Sequence, residues 1–516
     1  MNTQHFLSID FGTTGVRAVV ITSNGHQLGS QEQEVPISQN ADGFAEQDVE
    51  TFWQGMVNVV TRALAQARVS GDDVTAVGFS HQRCTFALAD ANGQHLCRLV
   101  VWMDQRGVPY LDFIRQRIPL PDYYAVTGLP IYYISSLTKL LWLRDQRPEL
   151  YARARRVWPI SNFMLTRLGV HDAPVDLATA SFYGLLDTRS RHWATDLPAL
   201  LGLDSDKLPS LVEPGAMIGT LDNSDAAAQL GLRPGTPLVI GGGDQQCAAL
   251  GSGVIEPGRA LINLGTATAV MAAVTGPQRD PTWVVPSVCH AVAGQWEMEG
   301  HTQASGVILR RFRDEFGSAE SAVAAGLGCD AYELFSEQAK RSVPGAAGLL
   351  FLPMFNGSTA PVSDPYSSGA LLGLRIYHTR PDVLRAMMEG MCLENRWILE
   401  HMQAQGTPID TVYYAGGGSR SPFWSQLHAD ILQRPVVRVA TSNATAVGVA
   451  ISAGVATGLY SGVEEGVAAL CAPGETYEPR KQHAQLYETL YSQFQIAYQA
   501  LRDADVFCAL RQIADT

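Results

Sequence analysis

The residues best placed to do chemistry come in two matched sets. The first is Asp10-Phe11-Gly12-Thr13-Thr14-Gly15 and the second is Asn263-Leu264-Gly265-Thr266-Ala267-Thr268. Each lies between apolar, strand-like runs, 6–9 and 16–21 around the first, 260–262 and 269–273 around the second. Glycine lets the backbone approach an anion closely, and exposed N–H groups and threonine hydroxyls then donate to phosphate oxygens. Downstream of the first set, Asn24-Gly25 is a hairpin-turn signal, so each loop is expected to join two antiparallel strands. A lone Gly-Thr would read as a tight turn and nothing more. The matched pair favours phosphate, with a nucleotide clamped in a cleft between two similar lobes. Only the first copy carries an acid, Asp10, so a metal ion is expected on that side.

A second acid, Asp244, stands in Gly242-Gly243-Asp244-Gln245-Gln246, after a strand-like run over 237–241. A carboxylate in such a loop can accept a proton from a bound hydroxyl, or it can cap the helix that follows. His81, Gln82 and Arg83 follow a strand-like run over 74–79. They suit a polyol, because fixed polar groups and a planar guanidinium can bind vicinal hydroxyls. Trp102, Asp104 and Arg106 alternate on an expected strand, which would put all three on one face. For Asp104, substrate contact and an ion pair with Arg106 stand side by side.

These groups need a frame. Helical spacing of Phe52, Trp53, Met56, Val59, Val60 and Leu64 predicts a helix over 49–68. Further helices are expected over 138–144, 307–316, 382–401 and 422–432, and strands over 296–299 and 412–414. The small, apolar run 446–460 is too short and glycine-rich to span a bilayer and reads as a tightly packed core helix. Glycine triplets at 241–243 and 416–418 both follow β-rich runs, a second hint of duplication. A boundary near 254–259 divides the chain into 1–253 and 254–516.

At 516 residues the chain is long enough for two or more domains. A formal net charge of −13 and a pI near 5.4 argue against a nucleic-acid partner. The start, Met1-Asn2-Thr3-Gln4-His5, lacks the basic and apolar regions of a signal peptide. Eight scattered cysteines form no C-x-x-C pair and no zinc-ligand spacing, which suits the reducing cytoplasm. Cys84 and Cys247 lie beside candidate site residues. The P-loop, dinucleotide, zinc-protease, serine-hydrolase and protein-kinase motifs are all absent from the sequence.

Taken together, these motifs resemble the FGGY carbohydrate kinases, a family with an actin-like ATPase fold, over nearly the whole length. The segment from Ile9 to Gly15 resembles the family's first phosphate motif, and Gly242-Gly243-Asp244-Gln245-Gln246 its catalytic-aspartate motif. Thr138-Lys139-Leu140-Leu141-Trp142-Leu143 resembles the first family signature, with Ile134 departing at its start. Gly369-Ala370-Leu371-Leu372-Gly373-Leu374, with Asp382-Val383 and Ala386-Met387-Met388-Glu389, resembles the second, and Gly416-Gly417-Gly418-Ser419 the adenosine motif. The resemblance implies an α/β protein of two duplicated ribonuclease-H-like domains that uses ATP and Mg2+. It implies Asp244 as catalytic base and Asp10 as metal ligand. His81, Gln82, Arg83, Asp104 and Gln245 would bind the sugar. Gly12, Thr13, Thr14, Arg17, Gly265, Thr266, Gly306, Gly417, Gly418 and Ser421 would bind ATP. Closure of the lobes would exclude water. The 1–253 part would carry the sugar, the first loop and the base, and 254–516 the second loop and adenosine. No membrane partner is expected, and a homodimer is compatible with this reading.

The substrate is read from departures. Gln82-Arg83, Asp244-Gln245-Gln246 and Thr127-Gly128-Leu129-Pro130-Ile131 resemble the glycerol kinase branch, but Cys84 and Ile134 stand where that branch has Glu and Tyr. Glu46-Gln47-Asp48 and Gly241-Gly242-Gly243-Asp244 resemble the xylulokinases, whose Met-His pair and Glu-Arg-x-Pro are here replaced by His81-Gln82-Arg83 and Ser358-Thr359-Ala360-Pro361. The expected acceptor is a ketopentose, D-xylulose first, giving D-xylulose 5-phosphate. Another ketopentose, a polyol or glycerol is the alternative. A nucleotide-switched binding protein of the same fold is the rival from another class. A sugar-sensing regulator lacks a basic patch or DNA-binding segment to support it.

Overall fold

The structure, a computed structural model, describes residues 3–222, 225–472 and 474–514. Met1 and Asn2, where the leader reading begins, and residues 515–516, where the second sequence division ends, lie outside the described residues. The chain forms two compact units. One comprises Met1–Ile255, Ala273–Glu297 and Asn443–Ala472, and the other Glu256–Ala272, Met298–Ser442 and Pro473–Thr516. Both are discontinuous in sequence.

In the first unit, β1 (His5–Phe11), β2 (Gly15–Thr22), β3 (Gln27–Glu34), β4 (Val74–His81), β5 (Met217–Thr220) and β6 (Pro237–Gly243) form one sheet ordered β5-β6-β4-β1-β2-β3. β1 and β2 pair antiparallel, with Asp10 opposite Arg17, while β4 joins β1 and β6 joins β4 in parallel. β1 is buried on both faces over residues 6–9, as a strand covered on both sides is. Leu7, Ile9 and Phe11 pack with Phe52, Met56, Val59 and Val60 of α1 (Val49–Ala67). Phe6 packs with Ala446, Val447 and Ala450 of the helix Ala444–Ala456, as the small-residue run predicts. Asp48 starts α1 by accepting the N–H of Thr51 at 2.9 Å, and left-handed Arg68 ends it.

In the second unit, β7 (Gly258–Leu264), β8 (Thr268–Val274), β9 (Trp296–His301), β10 (Ile409–Gly416), β11 (Val436–Arg438) and β12 (Thr476–Tyr477) run in the order β9-β8-β7-β10-β11-β12. β7 and β8 are antiparallel, and β7, β10 and β11 are mutually parallel neighbours. The order β3-β2-β1-β4-β6 of the first sheet therefore recurs as β9-β8-β7-β10-β11. Both Gly-Thr loops are hairpin loops at equivalent places, as expected.

The glycine triplets are not equivalent. That at 241–243 ends β6, whose counterpart is β11, whereas that at 416–418 follows from β10, the counterpart of β4. A second expectation also fails. Residues 101–106 form turns, not a strand, so Trp102, Asp104 and Arg106 share no strand face. All eight cysteines are free thiols. Among the described residues, no helix is long and apolar enough to cross a membrane.

Candidate active site

The first loop is closed by a bond from the Gly12 N–H to the Gly15 carbonyl at 2.8 Å. A side chain at Gly15 would strike the Gln33 carbonyl, so the hairpin needs glycine there. Thr13 and Thr14 are left at the tip, half-buried and exposed. Asp10, one residue from the end of β1, accepts from the Ser80 hydroxyl at 2.8 Å. Burial first, then the negative charge of Asp244, pushes its carboxyl up to about 6, against the Ser80 bond and the Arg17 charge. A cation beside Asp10 would relieve that strain. Among the described residues, no group of three or more His, Cys, Asp or Glu side chains could hold a metal. Arg17 is engaged by Glu32 (2.6 Å) and by the amide oxygen of Asn443 (3.0 Å).

The second acid follows β6. Gly242 has φ +138°, a conformation open to glycine, and Gly243 occupies the N-cap position of α2 (Asp244–Gly251). Asp244 is thus the first helical residue, and its carboxylate does not serve as the cap. Instead it lies 3.6 Å from Nε of Arg83 and accepts from Gln245 Nε2 at 3.2 Å, with its side chain 22% exposed. The Arg83 guanidinium sits 4.1 Å above the Phe182 ring.

The other expected sugar residues lie deeper. His81 is fully buried, 3.2 Å from the Thr179 hydroxyl, and burial pushes its imidazole down to about 3, leaving it neutral. Gln82 spends both amide atoms on protein, donating to Gln47 (2.8 Å) and accepting from Thr85 (3.2 Å). Asp104 is 0% exposed and accepts from the Ala45 N–H (2.6 Å) and from Arg106 through its backbone N–H (2.9 Å), Nε (2.8 Å) and Nη2 (2.9 Å). The ion-pair alternative is thus the one realised. Cys84 is buried in a left-handed conformation (φ 57°), its thiol 3.6 Å from the Phe182 carbonyl. Ile134 packs against the same apolar cluster.

Sequence reasoning placed Gln47 and Lys139 only in motifs of resemblance. Lys139 is wholly buried, donates to the carbonyls of Ile134 (2.6 Å) and Trp102 (3.2 Å), and is pushed down to about 8 by burial.

In the second unit, Gly265 donates to the Ala267 carbonyl at 2.9 Å, leaving Thr266 exposed. The helix Gly306–Phe316 starts against this loop: Gly306 donates to the Gly265 carbonyl at 3.0 Å, and a Cβ there would collide with that oxygen. Asn263 takes the place that Asp10 has in the first sheet. Gly416 turns the chain at φ 85°, Gly417 faces open space, and Gly418 is packed beneath Tyr414 and Trp424. Ser421 caps α3 (Pro422–Leu432) by accepting from Trp424 N at 3.3 Å, and its hydroxyl lies 3.0 Å from that of Ser336.

Two sheets of one strand order, each with a Gly-Thr hairpin loop, define a two-domain α/β fold of the ribonuclease-H-like, actin-like ATPase kind. Residues 5–251 match the N-terminal domain of the FGGY family of carbohydrate kinases and residues 260–457 its C-terminal domain; the chain belongs to this family. It is 31% identical over 502 residues to autoinducer-2 kinase of Klebsiella pneumoniae subsp. pneumoniae, covering 96% of this chain and 93% of that one. It is 28% identical over 448 residues to gluconokinase of Bacillus subtilis, covering 86% of each. Its fold matches that of ligand-bound xylulose kinase from Lactobacillus acidophilus with a TM-score of 0.88 at 22% identity, over 97% of this chain and 98% of that one.

Proposed function

We propose that this sugar kinase transfers the γ-phosphoryl group of ATP to a hydroxyl of a small open-chain sugar, with D-xylulose, giving D-xylulose 5-phosphate, as first candidate. The observation that carries the reading is the Asp244 carboxylate, partly exposed, not used as a helix cap, and flanked by Arg83 and Gln245. In this reading Asp244 accepts the hydroxyl proton as the sugar oxygen bonds to the γ-phosphorus and the bond to the β–γ bridging oxygen breaks, releasing ADP. Arg83 and Gln245 bind the sugar beside it. Gln82, His81 and Asp104 support that surface from below, Asp104 by holding Arg106.

Within the first unit, Gly12, Thr13, Thr14 and Arg17 are assigned to phosphate and Asp10 to Mg2+, which would neutralise phosphate charge when bound. Within the second, Gly265, Thr266 and Gly306 are assigned to phosphate and Gly417 to the nucleoside, with Gly418 and Ser421 shaping that loop. The assignment of 1–253 to sugar and base and 254–516 to adenosine, a cytoplasmic location and a homodimer belong to the same reading.

A second reading keeps the kinase and changes the acceptor. It is favoured by the similar proteins named for autoinducer-2 and gluconate, and by Cys84 and Ile134, which turn no polar group to a sugar. A coupled ADP-release assay with Mg-ATP separates the readings when run across D-xylulose, other ketopentoses, gluconate, autoinducer-2, erythritol and glycerol. A saturable response to D-xylulose supports the first reading, and a stronger one to another acceptor replaces it with the second. Silence across the panel, with ATP still bound, moves weight to the nucleotide-switched binding protein.

A further inference from the structure

A closed circuit of hydrogen bonds in the first unit joins the phosphate loop to the segment after β4. Gln82 Nε2 donates to Gln47 Oε1 (2.8 Å), and Gln47 Nε2 donates to the Thr13 carbonyl (2.8 Å). The indole N–H of Trp102 donates to the Thr13 hydroxyl oxygen (2.9 Å), and its backbone N–H donates to the Thr85 hydroxyl oxygen (3.0 Å). That hydroxyl in turn donates to Gln82 Oε1 (3.2 Å), which closes the ring. Gln47, Gln82 and Thr85 are buried, and Lys139 holds the Trp102 carbonyl from beneath at 3.2 Å.

The circuit grips Thr13 twice, at its carbonyl and at its hydroxyl. An indole N–H can only donate, so it occupies a lone pair of Thr13 Oγ1 and cannot accept that hydroxyl's single proton. The proton is directed away from the indole, at the tip of a loop built to face an anion. Buried polar side chains could form such a ring merely to satisfy one another, but here two arms converge on one residue of a tight turn.

We propose that Trp102 and Gln47 are positioning residues that fix Thr13 as a hydrogen-bond donor to the transferring phosphoryl group. This rests on the kinase reading above and deepens it. The same ring contains Gln82 and Thr85, which flank Arg83, the neighbour of Asp244. It therefore sets the phosphate loop and the base side of the site against each other within one rigid network, the kind of alignment on which phosphoryl transfer depends.

The test uses the full chain, with Trp102→Phe (ring kept, N–H lost), Thr13→Val, and the double variant. Calorimetric titration with Mg-AMP-PNP needs no sugar acceptor. Trp102→Phe is expected to weaken this binding about fivefold, the effect of one hydrogen bond, with the double variant no weaker than Thr13→Val. With the acceptor found by the panel, kcat falls and the acceptor KM stays within about twofold, as expected for an interaction made to the phosphoryl group. Unchanged nucleotide affinity in Trp102→Phe, single losses that multiply in the double variant, or a rise in acceptor KM alone overturns the proposal. Should Trp102→Phe fail to fold, Gln47→Leu takes its place with the same expected and overturning results. A wild type inactive on every acceptor that still gives this binding pattern sinks the kinase reading but keeps the Thr13 assignment.

Discussion

Nε of Arg83 lies 3.6 Å from Oδ1 of Asp244, and the Arg83 guanidinium is stacked on Phe182. Phe182 is buried, so the arginine is held by a ring fixed within the fold, and the proposed base has a cationic neighbour in place. Removing the carboxylate while keeping its shape, as in Asp244→Asn, is expected to lower kcat by about a thousandfold or more, with Mg-ATP affinity nearly unchanged. Arg83→Lys keeps charge but loses the planar fork and is expected to raise the acceptor KM. Steady-state kinetics on both variants check this, and near-normal turnover in Asp244→Asn would remove the base assignment.

Asp10 makes the metal-free protein pH-sensitive. Its carboxyl sits at about 6 against an ordinary 3.8, so between those values the folded chain binds more protons than the unfolded one and stability falls as pH rises. The full cost, ~3 kcal/mol at most, applies above pH 6. Asp10→Asn should therefore melt higher than the wild type at pH 8 in chelator and lose that advantage below pH 4. Mg-ADP should stabilise the wild type much more than the variant at pH 8. Equal melting curves at both pH values would contradict the assignment.

The two neighbouring glycines Gly417 and Gly418 should respond differently to a methyl group. A Cβ on Gly417 meets nothing within 4 Å, so Gly417→Ala should leave the melting temperature alone while raising the KM for ATP. A Cβ on Gly418 would collide with the Tyr414 hydroxyl and lie 3.3 Å from Trp424. Gly418→Ala should cost about 1–3 kcal/mol, read by urea unfolding. Equal stability losses at both positions would mean that the open space at 417 is not a ligand surface.

Asp104 is expected to matter for stability rather than for sugar. Its removal strands Arg106, which is nearly buried and stacks 4.4 Å above Phe44 and 4.8 Å above Trp142, although Glu46 still reaches it at 2.6 Å. Asp104→Ala should destabilise by about 3 kcal/mol, with the acceptor KM unchanged in whatever protein remains folded. A large KM effect at full stability would return Asp104 to the sugar.

Much of the frame was legible before any coordinate. The two loops stood out because matched Gly-Thr pairs between apolar runs are rare as bare turns, and the expected helix over 422–432 is the helix Pro422–Leu432. What stayed hidden was the fate of polar side chains. His81, Gln82 and Asp104 have the chemistry of sugar ligands, and nothing in their spacing tells that Thr179, Gln47 and Arg106 reach them first. The 101–106 run copied strand alternation, yet the Asp104 carboxylate accepts the backbone N–H of Arg106 two residues on, which favours a turn. The glycine triplets misled because composition carries no strand order.

The return of residues 443–472 to the first unit has a consequence for biosynthesis. The helix Ala444–Ala456 lies so close to the first sheet that a side chain on Gly78 would strike Val449, and so close to α2 that one on Gly251 would strike the Ala444 carbonyl. Until the ribosome has made that helix, Phe6, Ala76 and Val239 lack the part of their cover that Ala446, Val447, Ala450 and Ile451 supply. The first unit must therefore wait, with an apolar sheet face incompletely covered, for nearly nine-tenths of translation, and a chain released near residue 254 would be a substrate for chaperones and proteases rather than half an enzyme.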